Sequence, residues 1–198
     1  MNDKTFLGVV YYSAMYEIEH RALLTEESYK ALAERLAHEA TLLGTDDKEV
    51  SYYIFSDKLL KVVRNTSKGT AKISLKLTAL GAGSSFQEFE VPFPEDSFET
   101  MKSICESISI PDQVITGTQK RTNYEYRGVE IALKWSEDWG YHAEFEIMIS
   151  NLDGKEVADA RITEIAKNLS VSLMTEEEIS AFLANVRSKN RAHKKETS

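Results

Sequence analysis

The stretch Tyr16-Glu17-Ile18-Glu19-His20-Arg21-Ala22-Leu23 constrains the fold more than any other. Side chains of a strand point alternately to opposite faces, so Glu17, Glu19 and Arg21 share one face, and Ile18, His20 and Ala22 the other. Later segments repeat the arrangement. Residues 71–78 set Lys72, Ser74 and Lys76 against Ile73, Leu75 and Leu77. Residues 86–91 set Glu88 and Glu90 against Phe89 and Val91. Residues 128–135 set Glu130, Ala132 and Lys134 against Val129, Ile131 and Leu133, and residues 141–150 set Glu144 and Glu146 against Phe145 and Ile147. An exposed sheet held by cross-strand ion pairs would show such rows. So would a sheet curled until its charged faces line a lumen. A lumen explains why both signs recur on the same faces, since an interior must compensate its own charges.

Helical spacing accounts for the remaining long segments. Thr25 caps a helix whose apolar positions are Tyr29, Leu32, Leu36, Ala40 and Leu43, with Gly44 as its stop. A hairpin follows, with strands at 50–55 and 58–64, and a flexible turn falls at 81–85. Phe98, Met101, Cys105 and Ile108 form the buried stripe of a second helix, which Pro111 closes. Residues 119–126 pair with the strand after Gly128. Two helices finish the chain, the first burying Ala158, Ile162, Ile165 and Leu169. The second opens on the capping box Thr175 to Glu178 and buries Ile179, Phe182 and Val186. The expected architecture is α+β: one domain over residues 1–187, an antiparallel sheet closed or nearly closed into a tunnel, and helices packed outside it. Residues 188–198 are polar and mostly basic, and are expected to be a disordered tail.

With 198 residues the chain is long enough for one domain with a real core. Its formal net charge is -8. Such a chain lacks the electrostatic footprint for nucleic acid or a membrane surface, so an anionic ligand must be held by a local basic cluster. Residues 6–12 are apolar, but too short to span a bilayer and without the form of a secretory signal. The single cysteine, Cys105, cannot form an internal disulfide, which suits a reducing, cytoplasmic setting, and its neighbours make it a core filler. Monomer and homodimer are both compatible with the sequence.

The charged rows are the parts that phosphoryl chemistry needs. Glu17 and Glu19 lie roughly 6.5–7 Å apart along their strand, and Glu144 and Glu146 repeat the pair. Carboxylates suit Mg²⁺ or Mn²⁺, which take one or two from protein and complete their shell with water and substrate phosphate. Arg21, Arg64, Lys72, Lys76 and Arg121 supply the opposite sign. Arginine forks suit phosphate oxygens, and lysine serves as a mobile point charge. His20 lies on the apolar face and reads as a hydrogen-bonded packing residue. His142 shares a face with Glu144 and is the better candidate for chemistry. Trp135, Trp139 and Tyr141 flank a turn and could pack or stack on a ring.

The order of these motifs resembles the CYTH superfamily, also called triphosphate tunnel metalloenzymes. Glu17-x-Glu19-x-Arg21 resembles its E-x-E-x-K motif, Lys72-x-Ser74-x-Lys76 its lysine-bearing strand, and Glu88-x-Glu90 its next acidic pair. Lys120-Arg121, Tyr124, Gly128 and Glu144-x-Glu146 follow in the family's order, and Leu169-Ser170-Val171 stands where Leu-Gly-Ile is frequent. The resemblance implies an eight-stranded antiparallel tunnel that binds triphosphates with Mg²⁺ or Mn²⁺, as in class IV adenylate cyclases, thiamine triphosphatases and inorganic triphosphatases. It implies Glu17, Glu19, Glu144 and Glu146 as metal ligands. Arg21, Arg64, Lys72, Lys76, Glu88, Glu90, Arg121 and Lys134 would stand on the substrate side, with Glu19 and Arg21 closest to the chemistry. The expected function is metal-dependent hydrolysis of a small triphosphate, with ATP cyclisation or binding without catalysis as alternatives. Five positions depart from the pattern. Arg21 replaces a lysine and cannot deprotonate to activate water. Val62 and Gln119 stand where bases are expected, and no arginine precedes Glu88. Lys134 takes the place of an aspartate near the metal.

Overall fold

The computed structural model describes residues 16–77, 85–86, 88–108, 111 and 113–196. The apolar run 6–12 and most of the 81–85 turn fall outside them. The first strand, β1 (Tyr16–Leu23), runs into α1 (Glu26–Glu39) through a capping box. The Ser28 amide donates to Thr25 Oγ1 at 3.1 Å, and Ser28 Oγ accepts from the Thr25 amide at 2.9 Å. Leu32 and Leu36 are the buried positions of α1.

The helix stops earlier than its spacing predicts. Ala40 is extended, and β2 (Thr41–Thr45) pairs with the late part of the long strand β8 (Gln113–Tyr126). The 14 residues of β8 give one edge room for two partners. Its first half holds β3 (Lys48–Ile54), and its second half is left for β2. Leu42 and Leu43 are exposed there, so helical spacing at Leu43 did not signal burial.

Strand β3 forms a hairpin with β4 (Leu59–Asn65), which pairs with β5 (Thr70–Lys76). A broken strand follows, β6 (Ser85–Phe86) and β7 (Glu88–Phe93), then α2 (Phe98–Ile108) and β8. β9 (Val129–Ser136) and β10 (Gly140–Ile149) complete the sheet, whose pairings are all antiparallel. The strand order is β6-β1-β10-β9-β8-β3-β4-β5-β7. Both ends of that order belong to one broken strand, β6 on β1 and β7 on β5. With β6 and β7 counted together, eight strands make the wall and β2 lies against β8. The sheet therefore curls on itself, and Lys76 of β5 comes within 3.3 Å of Glu17 on β1.

The apolar core lies outside this curl. Ile18, Ala22, Ile131, Leu133 and Phe145 face outward onto Leu32 and Leu36 of α1 and Ile162 and Ile165 of α3 (Lys155–Asn168). A second cluster joins Tyr53 and Val62 to Phe98 and Cys105 of α2. Ile108 extends the predicted α2 stripe by spacing but is 77% exposed. The final helix, α4 (Glu176–Glu196), has its expected capping box, with the Glu178 amide donating to Thr175 Oγ1 at 3.2 Å. It buries Ile179, Leu183 and Val186. The helix runs on from Ser188 to Glu196. That segment has no proline or glycine, and its basic residues suit the negative end of a helix dipole.

Candidate functional site

Strand alternation carries the charged rows to the inside of the curl, and the register lines them up. On β1 and β10, Glu19 stands opposite Glu146 and Arg21 opposite Glu144. On β10 and β9, Glu146 faces Glu130 and His142 faces Lys134. Lys134 is in turn the partner of Arg121 on β8. Across the lumen, Lys61 of β4 aligns with Ser74 of β5, and Lys76 with Glu88 of β7.

One group gathers at Glu144, which is buried. Lys134 Nζ is in direct contact with its Oε2, and Arg21 Nε approaches its Oε1 at 3.4 Å. Arg21 also grips Glu19. Burial would raise the Glu144 pKa, but Lys134, Arg21 and Arg121 together hold it well below the carboxylate range. Burial takes the Lys134 ammonium down to about 8 even with that partner. Arg121 reaches Asn123 Oδ1 at 2.5 Å and Glu130 at 3.4 Å.

A second group lies at the seam. Lys76 is shared between Glu17 at 3.3 Å and Glu88 at 3.4 Å, and Lys61 pairs with Glu88 at 2.8 Å. Lys72 contacts Glu90. Burial would raise Glu88, but Lys61 and Lys76 bring it down to about 2. Glu17 goes the other way, to about 9, through burial and the neighbouring Glu19 carboxylate. Burial likewise lifts Glu146 to about 7.

Three of the implied ligands are oxygen donors of the kind a hard divalent cation takes. Glu17, Glu19 and Glu146 crowd one stretch of wall, and two of them are costly to ionise, a cost that a bound cation would offset. Among the described residues, no group of three or more carboxylate, imidazole or thiol side chains is arranged to hold a metal ion. Glu144, the fourth ligand that the resemblance implied, is occupied by Lys134.

Comparison with known proteins gives the lumen its relatives. The CYTH domain matches residues 15–178, most of the chain. The chain belongs to the CYTH family. No significant match exists among curated proteins. Among solved structures, PH1012 from Pyrococcus horikoshii OT3 shares 23% identity, with a TM-score of 0.65 over 82% of this chain and 93% of that one. A conserved hypothetical protein from Pyrococcus furiosus shares 19% identity, with a TM-score of 0.64 over 82% and 99%. HpAC1 from Hippeastrum shares 13%, with a TM-score of 0.58 over 80% and 89%. These likenesses show that the fold is the CYTH fold.

Most site residues expected from the CYTH resemblance do line the lumen, with one exception. Arg64 is on the outer face of β4. Its guanidinium lies 4.6 Å from the Phe98 ring of α2 and contacts Glu49. The inward base on that strand is Lys61. Motif spacing passed over Lys61, and over Lys48, which pairs with Asp46 at 2.7 Å. Positions 61 and 64 differ by an odd number, so one strand face cannot hold both. The parity of Val62, an apolar residue between them, was the signal for Lys61. Glu130 was legible on the Lys134 face, but no motif gave it a role.

The histidines divide as their faces predict. His20 points out and bonds Asp159 of α3 at 2.7 Å. His142 is buried, and burial, helped by Lys134, takes its pKa down to about 4, so it is neutral at pH 7. Its ring stacks 5.2 Å from Trp139, which packs on Phe182 of α4 at 4.7 Å and lies 5.7 Å from the Arg21 guanidinium. Among the described residues, no helix is long and apolar enough to cross a membrane.

Proposed function

We propose that this CYTH protein hydrolyses a small triphosphate inside its lumen, in the cytoplasm, with Mg²⁺ or Mn²⁺. The observation that carries this reading is the facing of two rows. Carboxylates on β1 and β10 stand across from bases on β4 and β5, with Arg121 between them on β8. A family relative supports the choice of reaction, since HpAC1 is described as having a dominant triphosphatase activity. Lys61, Lys72 and Lys76 would take phosphate oxygens as point charges, and Arg121 would offer a planar fork. Arg21, fixed between Glu19 and Glu144, orients the group that reacts. Glu17, Glu19 and Glu146 would hold the cation, which supplies charge neutralisation and Lewis acidity to an in-line displacement. Glu88 and Glu90 keep the lysines in place until phosphate displaces them.

The test is phosphate release from tripolyphosphate, ATP and thiamine triphosphate, each with Mg²⁺ and with Mn²⁺, with nucleotide products read in parallel. Metal-dependent phosphate release is expected, and Glu146→Gln should abolish it without loss of fold. A cyclic nucleotide with pyrophosphate would replace hydrolysis by cyclisation. No turnover on any substrate would overturn the hydrolase reading.

A further inference from the structure

Three bases converge on Glu144. Lys134 touches it, Arg21 lies 3.4 Å from it, and Arg121 is the register partner of Lys134 on the next strand. Arg21 is balanced by Glu19 and Arg121 by Glu130, which leaves Lys134 as the base that meets the Glu144 charge. Lys134 is 5% exposed and Glu144 9%, so bulk solvent screens neither. A divalent cation approaching Glu144 would have to displace an ammonium already in contact, against repulsion from two guanidinium groups. A phosphate oxygen would meet those cations as partners.

We infer that Lys134 is a built-in counter-ion that takes the place of a divalent cation at Glu144, so that the lumen binds the phosphates of its substrate without metal. The inference rests on the triphosphate reading above and divides its steps. Lys134 joins Lys61, Lys72, Lys76 and Arg121 in binding, and only turnover draws on the cation that Glu17, Glu19 and Glu146 would hold. Lys134 is thereby a binding residue whose charge matters more than its shape.

The test is titration calorimetry of the full chain with tripolyphosphate, once in excess EDTA and once with Mn²⁺. Affinity in EDTA within about tenfold of that with Mn²⁺ is expected. Lys134→Met should lose tenfold or more in EDTA and recover much of it with Mn²⁺, whereas Lys134→Arg should keep EDTA binding. Binding by the wild type only with Mn²⁺ would overturn the inference and leave the hydrolase reading standing. No binding in either condition would remove both. Equal EDTA affinity for the wild type and a folded Lys134→Met protein would also overturn it. If Lys134→Met does not fold, Lys134→Gln is read under the same two conditions, and an EDTA affinity equal to the wild type's would overturn the inference.

Discussion

At the scale of single residues, parity along a strand decides role. Lys61 and Arg64 are both basic and lie on the same strand, yet one faces Glu88 in the lumen and the other lies against Phe98 outside it. Lys61→Ala should weaken tripolyphosphate binding by about tenfold or more, the worth of one charge-assisted contact. Arg64→Ala should leave that affinity unchanged, as calorimetry of both variants would show. A matching loss in Arg64→Ala would contradict the placement. The common face of Glu17 and Glu19, and that of Glu144 and Glu146, was legible because the members of each pair stand two residues apart on one strand. Motif spacing misplaced Arg64 because two bases three residues apart leave the register ambiguous, and the bulk of Phe98 that receives Arg64 lies far away in sequence. Similarly, nothing local to Lys134 revealed that it would close on Glu144, because that contact depends on the pairing of β9 with β10.

Among the elements, helices were legible wherever an apolar stripe had a sheet to cover. Ala158, Ile162 and Ile165 of α3 are buried as their spacing predicts, and Phe98 of α2 is 1% exposed. The stripe failed at its ends, since Leu43 and Ile108 continue a helical period past the place where the sheet offers a surface. Spacing is a property of the segment, and burial belongs to the pair of elements. Phe98→Ala should therefore cost about 3–5 kcal/mol, by transfer and cavity formation, and Ile108→Ala well under about 1 kcal/mol. Urea midpoints would show the difference, and similar losses in both would mean that α2 packs through another face. The strand β2 was hidden for the complementary reason. Thr41–Thr45 is too short to announce itself, and it pairs because β8 outlasts β3.

For the whole molecule, the lumen stores charge that must be kept ionised, and this sets its acid tolerance. Glu88 is ordinarily near 4.5 and is held down to about 2. Its depressed pKa adds stability that is fully present above pH 4.5 and is lost as the pH falls towards 2. The amount is on the order of 3 kcal/mol, because each tenfold change in proton affinity is worth about 1.4 kcal/mol. Comparing urea midpoints of the wild type and Glu88→Gln from about pH 7 down to about pH 2.5 would measure it. Their separation should narrow as the pH drops, and a constant separation would show that Glu88 is not the group responsible. The same strands carry two independent texts, one written on even positions and the other on odd. Packing against α1, α2 and α3 reads the outward letters, and the ligand reads the inward ones. Ligand preference in such a molecule can drift by substitution at alternate positions while the scaffold stays the same, and Arg21 and Lys134 stand at two such inward positions.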